Sequence, residues 1–521
     1  MHDQGGFRVL SRIAKKLARR KHRIERRLKR TNDHKYRRYA EGAGPVIHVG
    51  SLKYELADKV RGVAYGGVGL MLRVAREAGL VEAIDRRVRL LKMHVPYHES
   101  DHVLNFAIKA WCDGTCLQDI ELRRNDEVFL DAIGADAIPD PTTAGDFCRR
   151  FDESSLRDLH DAIDDARLNV WQRQSAEFFD EAVIDMDGTL VVTSGECKAG
   201  MDISYKGDWG YHPLLVSLAN TKEVLSLTNR SGNRPSHEGA AVQADRAIAL
   251  CRRGGFRKIR LRGDTDFTQT AHLDRWNADG VLFQFGFDAV KPLEEMADIQ
   301  PESAWKTLTR PPAYVAVGKP RARPTNVKRQ IIRRREFLHL ELHSEQVAEF
   351  PYRPTKCDQW YRVIVVRKNI SREQGDKVLF DEIRYFFYIT NDRALSAEEI
   401  VFGCNDRCDQ ENLIAQLAGG VRALAAPVDN LLSNGASMLM TSLAWTLKSW
   451  AALLLPIEPR WREKHETERR TLLTMEFKTF LNALVKVPCQ IVKQTRRVIS
   501  RVLAWNPHLP SFFRLCAVLR C

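Results

Sequence analysis

The chain reads as an α/β protein with helical regions on both sides of its sheet. Three observations predict this. Residues 183–285 run strand, strand, strand, helix, strand, helix, strand, separated by turn signals. Residues from about 300 to 385 then change to a period of two. The stretches before and after carry helix-spaced apolar residues instead. At 521 residues and 44% hydrophobic content, the chain has material for more than one core. The expected divisions are 1–62, a basic arm; 63–165, a helical region; 166–300, the first part of an α/β core; 301–385, a β-rich insertion; and 386–521, the rest of the core with C-terminal helices.

Charge separates the arm from the body. The net charge is +14, and residues 1–40 account for +12 of it, with 15 Lys/Arg against Asp3, Glu25 and Asp33. A basic arm on a nearly neutral body is the electrostatic footprint of a polyanion binder. Leu10, Ile13, Leu17, Ile24 and Leu28 give the arm a thin apolar stripe, suited to a helix that forms on its partner. No secretory signal is expected in this basic, polar start, and the apolar run at Ala451 to Pro456 is too short to span a bilayer. Eleven scattered cysteines, with Cys112 and Cys116 the nearest to a metal spacing, read as reduced thiols of a cytosolic protein.

In order, Pro45 to Leu56 suggests a strand, and Gly67 to Leu91, the segment from Ser100 through Trp111, and Leu117 to Asn125 suggest helices. Asp140-Pro141-Thr142-Thr143 is an N-cap signal for a further helix carrying Arg149 and Arg150. Exposed arginines on short helices point to a DNA-binding module over 63–165, although a plain helical bundle would read the same way. Leu214–Leu218 and Val224–Leu227 are strands joined at Asn220-Thr221, and a helix over Ala240–Arg253 stops at Gly254-Gly255. Lys258–Arg262 and Val281–Phe285 are strands around a helix at 268–279. The insertion holds strands at Tyr314–Val317, Phe337–Leu342, Tyr361–Val366 and Tyr385–Ile389 with no helix between them. Its basic run, from Lys319 through Lys328, Arg329, Arg333, Arg334 and Arg335, reads as a charged hairpin. A capping box at Ser396 opens a helix through Asn405, Arg407, Glu411 and Leu417, and the tail from 431 is largely helical.

The chemistry centres on the strand Val183-Ile-Asp185-Met-Asp187-Gly-Thr-Leu190. Alternate residues share a face, so the two acids project together, which is costly unless something positive lies between them. Two readings compete. In one, Asp185-x-Asp187-Gly-Thr resembles the nucleophile motif of haloacid dehalogenase-type phosphatases, with Asp185 attacking phosphorus and Gly263-Asp264-x-Asp266 as a metal motif. In the other, three separated acids, Asp187, Asp264 and Glu411, hold metal for DNA strand cleavage and transfer.

The second reading is carried by a resemblance. Asp187-Gly-Thr-Leu, Gly195-Glu-Cys-Lys, Gly200-Met-Asp-Ile-Ser-Tyr-Lys-Gly207, Gly210-Tyr-His-Pro-Leu-Leu215, the loop from Asn229 to Gly239, Arg262-Gly-Asp264 and Arg407-x-x-Gln-Glu-Asn412 resemble bacterial insertion-sequence transposases of the DDE class. The resemblance implies an RNase H-like catalytic core interrupted by a β-rich insertion, with cut-and-paste movement of an element bounded by terminal inverted repeats. It implies Asp187, Asp264 and Glu411 as catalytic metal ligands for two Mg2+ ions, Mn2+ substituting, and Arg407 on a DNA phosphate. The implied partners are double-stranded terminal repeats and target DNA, engaged by a homodimer in a nucleoid-associated cytoplasmic setting. Arg19, Arg20, Lys21, Arg26 and Arg27 of the arm and Arg333, Arg334 and Arg335 of the insertion are further DNA-contact candidates. Two positions depart from the family pattern: Cys404 stands in place of a Tyr and Ala418 in place of a Lys, so an inactive DNA-binding derivative is a third reading. Asp185 and Asp266 are alternatives for the first two ligands, His237 and Glu238 for extra ones, and Trp305 and Trp360 for stacking on an extruded base.

Overall fold

The structure is a computed structural model that describes residues 11–26, 29, 60–94, 96–310, 325–375, 377–494 and 497–520. The expected strands at Pro45 to Leu56 and Tyr314–Val317, and Arg27, lie largely or wholly outside them.

The N-terminal part is helical. After α1 (residues 11–26) and the short β1 (Gly62–Val63) come α2 (Val68–Glu77), α3 (Leu80–Arg87), α4 (Glu99–Trp111), α5 (Ile120–Arg124), α6 (Glu127–Ile133), α7 (Pro141–Arg149) and α8 (Glu153–Trp171). The single helix expected over 67–91 is two, because Gly79 turns left-handed at φ 77° and breaks it. Asp140 caps α7 as its sequence predicts, accepting from the Thr143 N–H at 2.9 Å. Helix α8 runs continuously across position 165.

The α/β body follows: β2 (Glu181–Gly188), β3 (Val191–Val192), β4 (Asp202–Ile203), β5 (Trp209–Tyr211), β6 (Leu214–Leu218), β7 (Glu223–Thr228), α9 (Ala240–Gly254), β8 (Lys258–Gly263), α10 (Leu273–Ala278), β9 (Leu282–Phe287) and α11 (Lys291–Asp298). Strands β3, β5 and β4 form a small separate sheet from the Gly- and Lys-rich stretch. Helix α9 ends as expected, with Gly255 left-handed at φ 99°. The helix expected at 268–279 shrinks to α10 behind two 3-10 turns, the first capped by the Asp264 side chain. The Asp264 side chain accepts from the Asp266 N–H, a local bond that competes with a regular helix, and Thr268 Oγ1 donates to the Gly286 carbonyl of β9.

The insertion continues the same sheet. It comprises β10 (Lys306–Thr307), α12 (Val327–Arg334), β11 (Leu338–Tyr352), β12 (Tyr361–Gln374) and β13 (Lys377–Thr390). The order is β10-β11-β12-β13-β9-β8-β2-β6-β7. Strand β2 pairs parallel with β8 and antiparallel with β6, β8 pairs parallel with β9, and β13 returns antiparallel to β9. The described part of the basic run is not a hairpin: Lys328, Arg329, Arg333 and Arg334 lie on α12, with Asn326 as its N-cap and Arg335 as its C-cap, while Lys319, Arg321 and Arg323 lie outside the described residues. The Asn cap outweighed the charge pattern there.

The chain closes with α13 (Ala397–Asn405), α14 (Cys408–Ala415), α15 (Leu431–Leu453), α16 (Arg462–Thr474), α17 (Phe477–Phe480), β14 (Cys489–Gln494), β15 (Arg497–Val502) and α18 (Leu509–Val518). The one helix expected through Asn405 to Leu417 is interrupted, leaving Arg407 as the N-cap of α14. Asn405 and Asp406 are residues that leave helices readily. The tail is not all helical either, because β14 and β15 form a hairpin that pairs with β1 from the other end of the chain. Helix α15 is buried along nearly its whole length and packs on α2, α4, α7, α8 and β7. It joins the N-terminal helices to the body in one continuous core. Its apolar surface on every side suits that place, and no described helix is long and apolar enough to cross a membrane.

One buried polar knot locks this junction. Glu223 at the start of β7 is fully buried and accepts from Arg167 Nε at 3.1 Å, Trp171 Nε1 at 3.0 Å and Trp450 Nε1 at 2.7 Å. Those donors come from α8 and α15, so one carboxylate ties three elements together.

Candidate active site

The two acids of β2 take different partners. Strand alternation puts Ala182, Ile184 and Met186 in the core and turns Asp185 and Asp187 to the other face. Asp185 stands opposite Arg262 of the parallel strand β8. The two form a bidentate pair, Nε to Oδ1 at 2.7 Å and Nη2 to Oδ2 at 2.8 Å. Burial raises the Asp185 carboxyl and the guanidinium pulls it back. The third arm of Arg262 donates to the Gly403 carbonyl of α13 at 2.9 Å. Asp185 is therefore occupied as an anchor, which removes the support for a phosphatase nucleophile.

Asp187 lies two residues on, half-buried where β2 ends. Its Oδ1 accepts from the Gly188 N–H at 2.8 Å, and its Oδ2 from Arg407 Nη1 at 3.0 Å. Gly188 has no room for a side chain, since a Cβ there would lie 2.9 Å from His212 Nε2. Arg407 Nη2 reaches Glu411 Oε1 at 3.2 Å, one turn along α14. Asp264, at the end of β8, lies within electrostatic reach of both Asp187 and Arg407. Burial pushes the Asp187 carboxyl up to about 6; Arg407 opposes the shift, while Asp264 and Glu411 add to it. Burial likewise raises Asp264, against Arg407 and with the help of Asp266. Burial disfavours the Arg407 charge, but Asp187, Asp264 and Glu411 outweigh it and raise its pKa. Three carboxylates against one guanidinium leave the cluster short of positive charge. Its oxygen donors are those that hard divalent cations prefer.

Two residues position α14 without a role assigned from sequence: Gln410, which lies inside a quoted motif, and Lys222, which lies in none. Gln410 is buried and bonded to Ser217 Oγ and the Leu215 carbonyl of β6, so it fixes the helix that carries Glu411. Lys222 bridges to Asp409 at 2.6 Å. The only sequence signal for Gln410 is its place beside Glu411 in a polar helix.

The other candidates disperse. Asp266 is exposed, and its N–H donates to Asp264 at 3.0 Å. Glu238 pairs with Arg234 at 3.2 Å, and the His237 carbonyl accepts from Gln269. Trp305 is buried under Arg367, 4.2 Å from its ring, and stacks on Tyr385, so it is not free for a base. Trp360 is 61% exposed. In the arm, Arg19 and Arg26 are exposed, whereas Arg20 donates to the Val502 and Ala504 carbonyls and Lys21 sits over Trp505. Arg333, Arg334 and Arg335 are exposed on or beside α12. Among the described residues, the group whose ligand-type atoms all lie within 4.8 Å of one another is His339, Glu341 and Glu373, not the three acids around Arg407, and there His339 pairs with Glu373 at 3.0 Å and Glu341 with Arg329 at 2.8 Å. The described cysteines other than Cys516 are free thiols.

Carboxylate oxygens gathered from two strand ends and a helix are a donor set that divalent cations can bind in phosphoryl-transfer sites. The family model described as Transposase DDE domain group 1 matches residues 61–520, and the chain belongs to that family. It is a DNA transposase, an enzyme of DNA recombination, and DDE transposases use divalent metal ions. Among solved structures, the chain is similar to a piggyBac transposase in a synaptic complex with hairpin DNA, at 11% identity and a TM-score of 0.34, covering 81% of this chain and 82% of that one. No curated protein matches.

Proposed function

We propose that Asp187, Asp264 and Glu411 are the metal-binding triad with which this transposase cuts the ends of a DNA element and joins them to a target. The observation that carries this reading is the convergence of the three acids on Arg407. The strand order β7-β6-β2-β8-β9, antiparallel up to β2 and parallel after it, supports an RNase H-like core. In that layout, 166–300 and 386–521 build the core and C-terminal helices around an insertion at 301–385, with a DNA-binding region over 63–165 behind the arm 1–62.

Bound divalent ions, Mg2+ with Mn2+ as substitute and two per site, would activate the attacking water or 3′-hydroxyl and stabilise the leaving oxygen. The chain's own residues do the rest. Asp187 and Asp264 offer oxygens from rigid strand ends, and Gln410 sets the height of Glu411 on its helix. Arg407 is placed to meet a phosphate of the cleaved strand. Terminal inverted repeats are the substrate, and a homodimer holds two ends together. The setting is the bacterial nucleoid. Excision from a plasmid bearing the element's flanking repeats tests this. Asp187→Ala, Asp264→Ala and Glu411→Ala should each abolish cleavage while leaving end binding intact; normal cleavage by Asp264→Ala would remove the triad.

A further inference from the structure

The arm was expected to order only on a partner, yet α1 is a docked helix. Leu17 is buried, and Ile13 packs against the same core. Together they close one side of a shallow cavity of about 220 Å³ whose other walls include Trp461, Pro510 and Phe513. Arg20 Nη1 donates to the Val502 carbonyl at 2.6 Å and the Ala504 carbonyl at 3.2 Å, the last residue of the β14–β15 hairpin and one just past it. Lys21 Nζ lies 5.4 Å from the Trp505 ring centre. One end of the chain is thus pinned to the other, and the pinned face of α1 is Ile13, Leu17, Arg20 and Lys21.

The remaining cations fall on a single stripe. Arg12, Lys15, Lys16, Arg19, Arg23 and Arg26 are all exposed. At about 100° per residue, they fan over roughly a 100° sector of the helix, away from the docked side. They extend over about 21 Å of helix axis at 1.5 Å per residue. None makes an ion pair with a described acid, and the one acid of α1, Glu25, faces Lys21 at 3.7 Å. A straight row of like charges is repulsive in isolation. Held rigidly outward by a docked helix, it matches a regular linear polyanion.

We propose that α1, pinned to the C-terminal hairpin, is a preformed DNA-binding ridge whose six-cation stripe lies along the phosphates of a DNA duplex. Arg20 and Lys21 serve the docking and do not touch DNA. This deepens the reading of the arm as a DNA contact, and it is independent of the catalytic triad.

The experiment is fluorescence anisotropy of the full chain with a labelled duplex of about 30 base pairs, over a series of salt concentrations. Neutralising the six stripe residues to Gln should reduce the slope of log K against log salt by about five, at 0.9 per phosphate contact. The charge-preserving variants Leu17→Ser and Arg20→Lys should weaken binding about tenfold and change the slope by less than one, because the charges remain while the ridge is lost. An unchanged slope in the stripe variant overturns the assignment of the surface. Wild-type affinity in both docking variants overturns the pinned ridge and leaves a flexible basic tail. Equal loss of binding to anionic vesicles and to duplex would show a general polyanion surface and also count against it. Circular dichroism shows that each variant is folded. Cleavage by the stripe variant on a saturating duplex tells a failure here from a failure of the triad.

Discussion

The sharpest prediction concerns Asp185, the acid that a motif reading would make a nucleophile. Asp185→Asn keeps the shape and removes the charge. Asp185 is 1% exposed and takes two charge-assisted bonds from Arg262. The Asn amide can still accept one bond, but a guanidinium whose side chain is 9% exposed loses its counter-charge and one acceptor, keeping otherwise the Gly403 carbonyl. Breaking one side of such a buried pair costs about 3–5 kcal/mol, most of it the stranded charge. The double variant Asp185→Leu with Arg262→Met removes both charges and should recover most of that loss, because a buried pair is often replaceable by apolar groups. The assay is urea denaturation, read as a fall in midpoint at unchanged slope. Strand cleavage at 25 °C should persist in folded Asp185→Asn, weakened only as far as α13 shifts with Gly403. A variant with the wild-type midpoint and no cleavage would refute the reasoning and return Asp185 to the chemistry.

Three further outcomes follow from the same geometry. The Asp187 carboxyl sits at about 6 in the folded, metal-free chain, above its unfolded value. The folded state therefore binds more protons than the unfolded one between about pH 4 and 6, and stability falls as pH rises through that window. Asp187→Asn should be the more stable form at pH 7, with its advantage vanishing as pH drops towards 4; an advantage independent of pH would contradict the shift. Glu223→Ala should cost about 3–5 kcal/mol in the denaturation midpoint, since it leaves the Trp171 and Trp450 indole N–H groups without their acceptor and takes one of two acid partners from the buried Arg167, whereas a loss below 1 kcal/mol would show that the knot holds nothing. Gln410→Ala should lower the cleavage rate about tenfold with little change in DNA affinity, because it loosens the helix under Glu411; weakened binding with an unchanged rate would assign Gln410 elsewhere.

Much of the sheet was legible because its strands announce themselves locally. Leu214–Leu218 and Val224–Leu227 are apolar runs bounded by a turn, and β6 and β7 form there. The period-two strands expected at Phe337–Leu342, Tyr361–Val366 and Tyr385–Ile389 formed too, but longer, because pairing between neighbours extends a strand past its own apolar residues. The misreadings arose where local and distant preferences compete. Lys328 to Arg334 have no apolar face that chooses between helix and hairpin, and the Asn326 cap decided it. Cys489–Gln494 became a strand by pairing along its length with Arg497–Val502, and Gly62–Val63, more than 400 residues away in the chain, joins it at Cys489 and Gln490.

The sequence by itself determined the family resemblance, the candidate acids and the basic arm, because motifs and charge are local properties of the chain. It left Asp185 and Asp187 equivalent, since alternation places both on one face whatever lies across from them. Only the tertiary structure separated them. Arg262 arrives beside Asp185 from a parallel strand, and Arg407 reaches Asp187 from a helix 220 residues on. The burial and charge that fix a carboxylate's role come from neighbours that are remote in sequence, and folding alone brings those together.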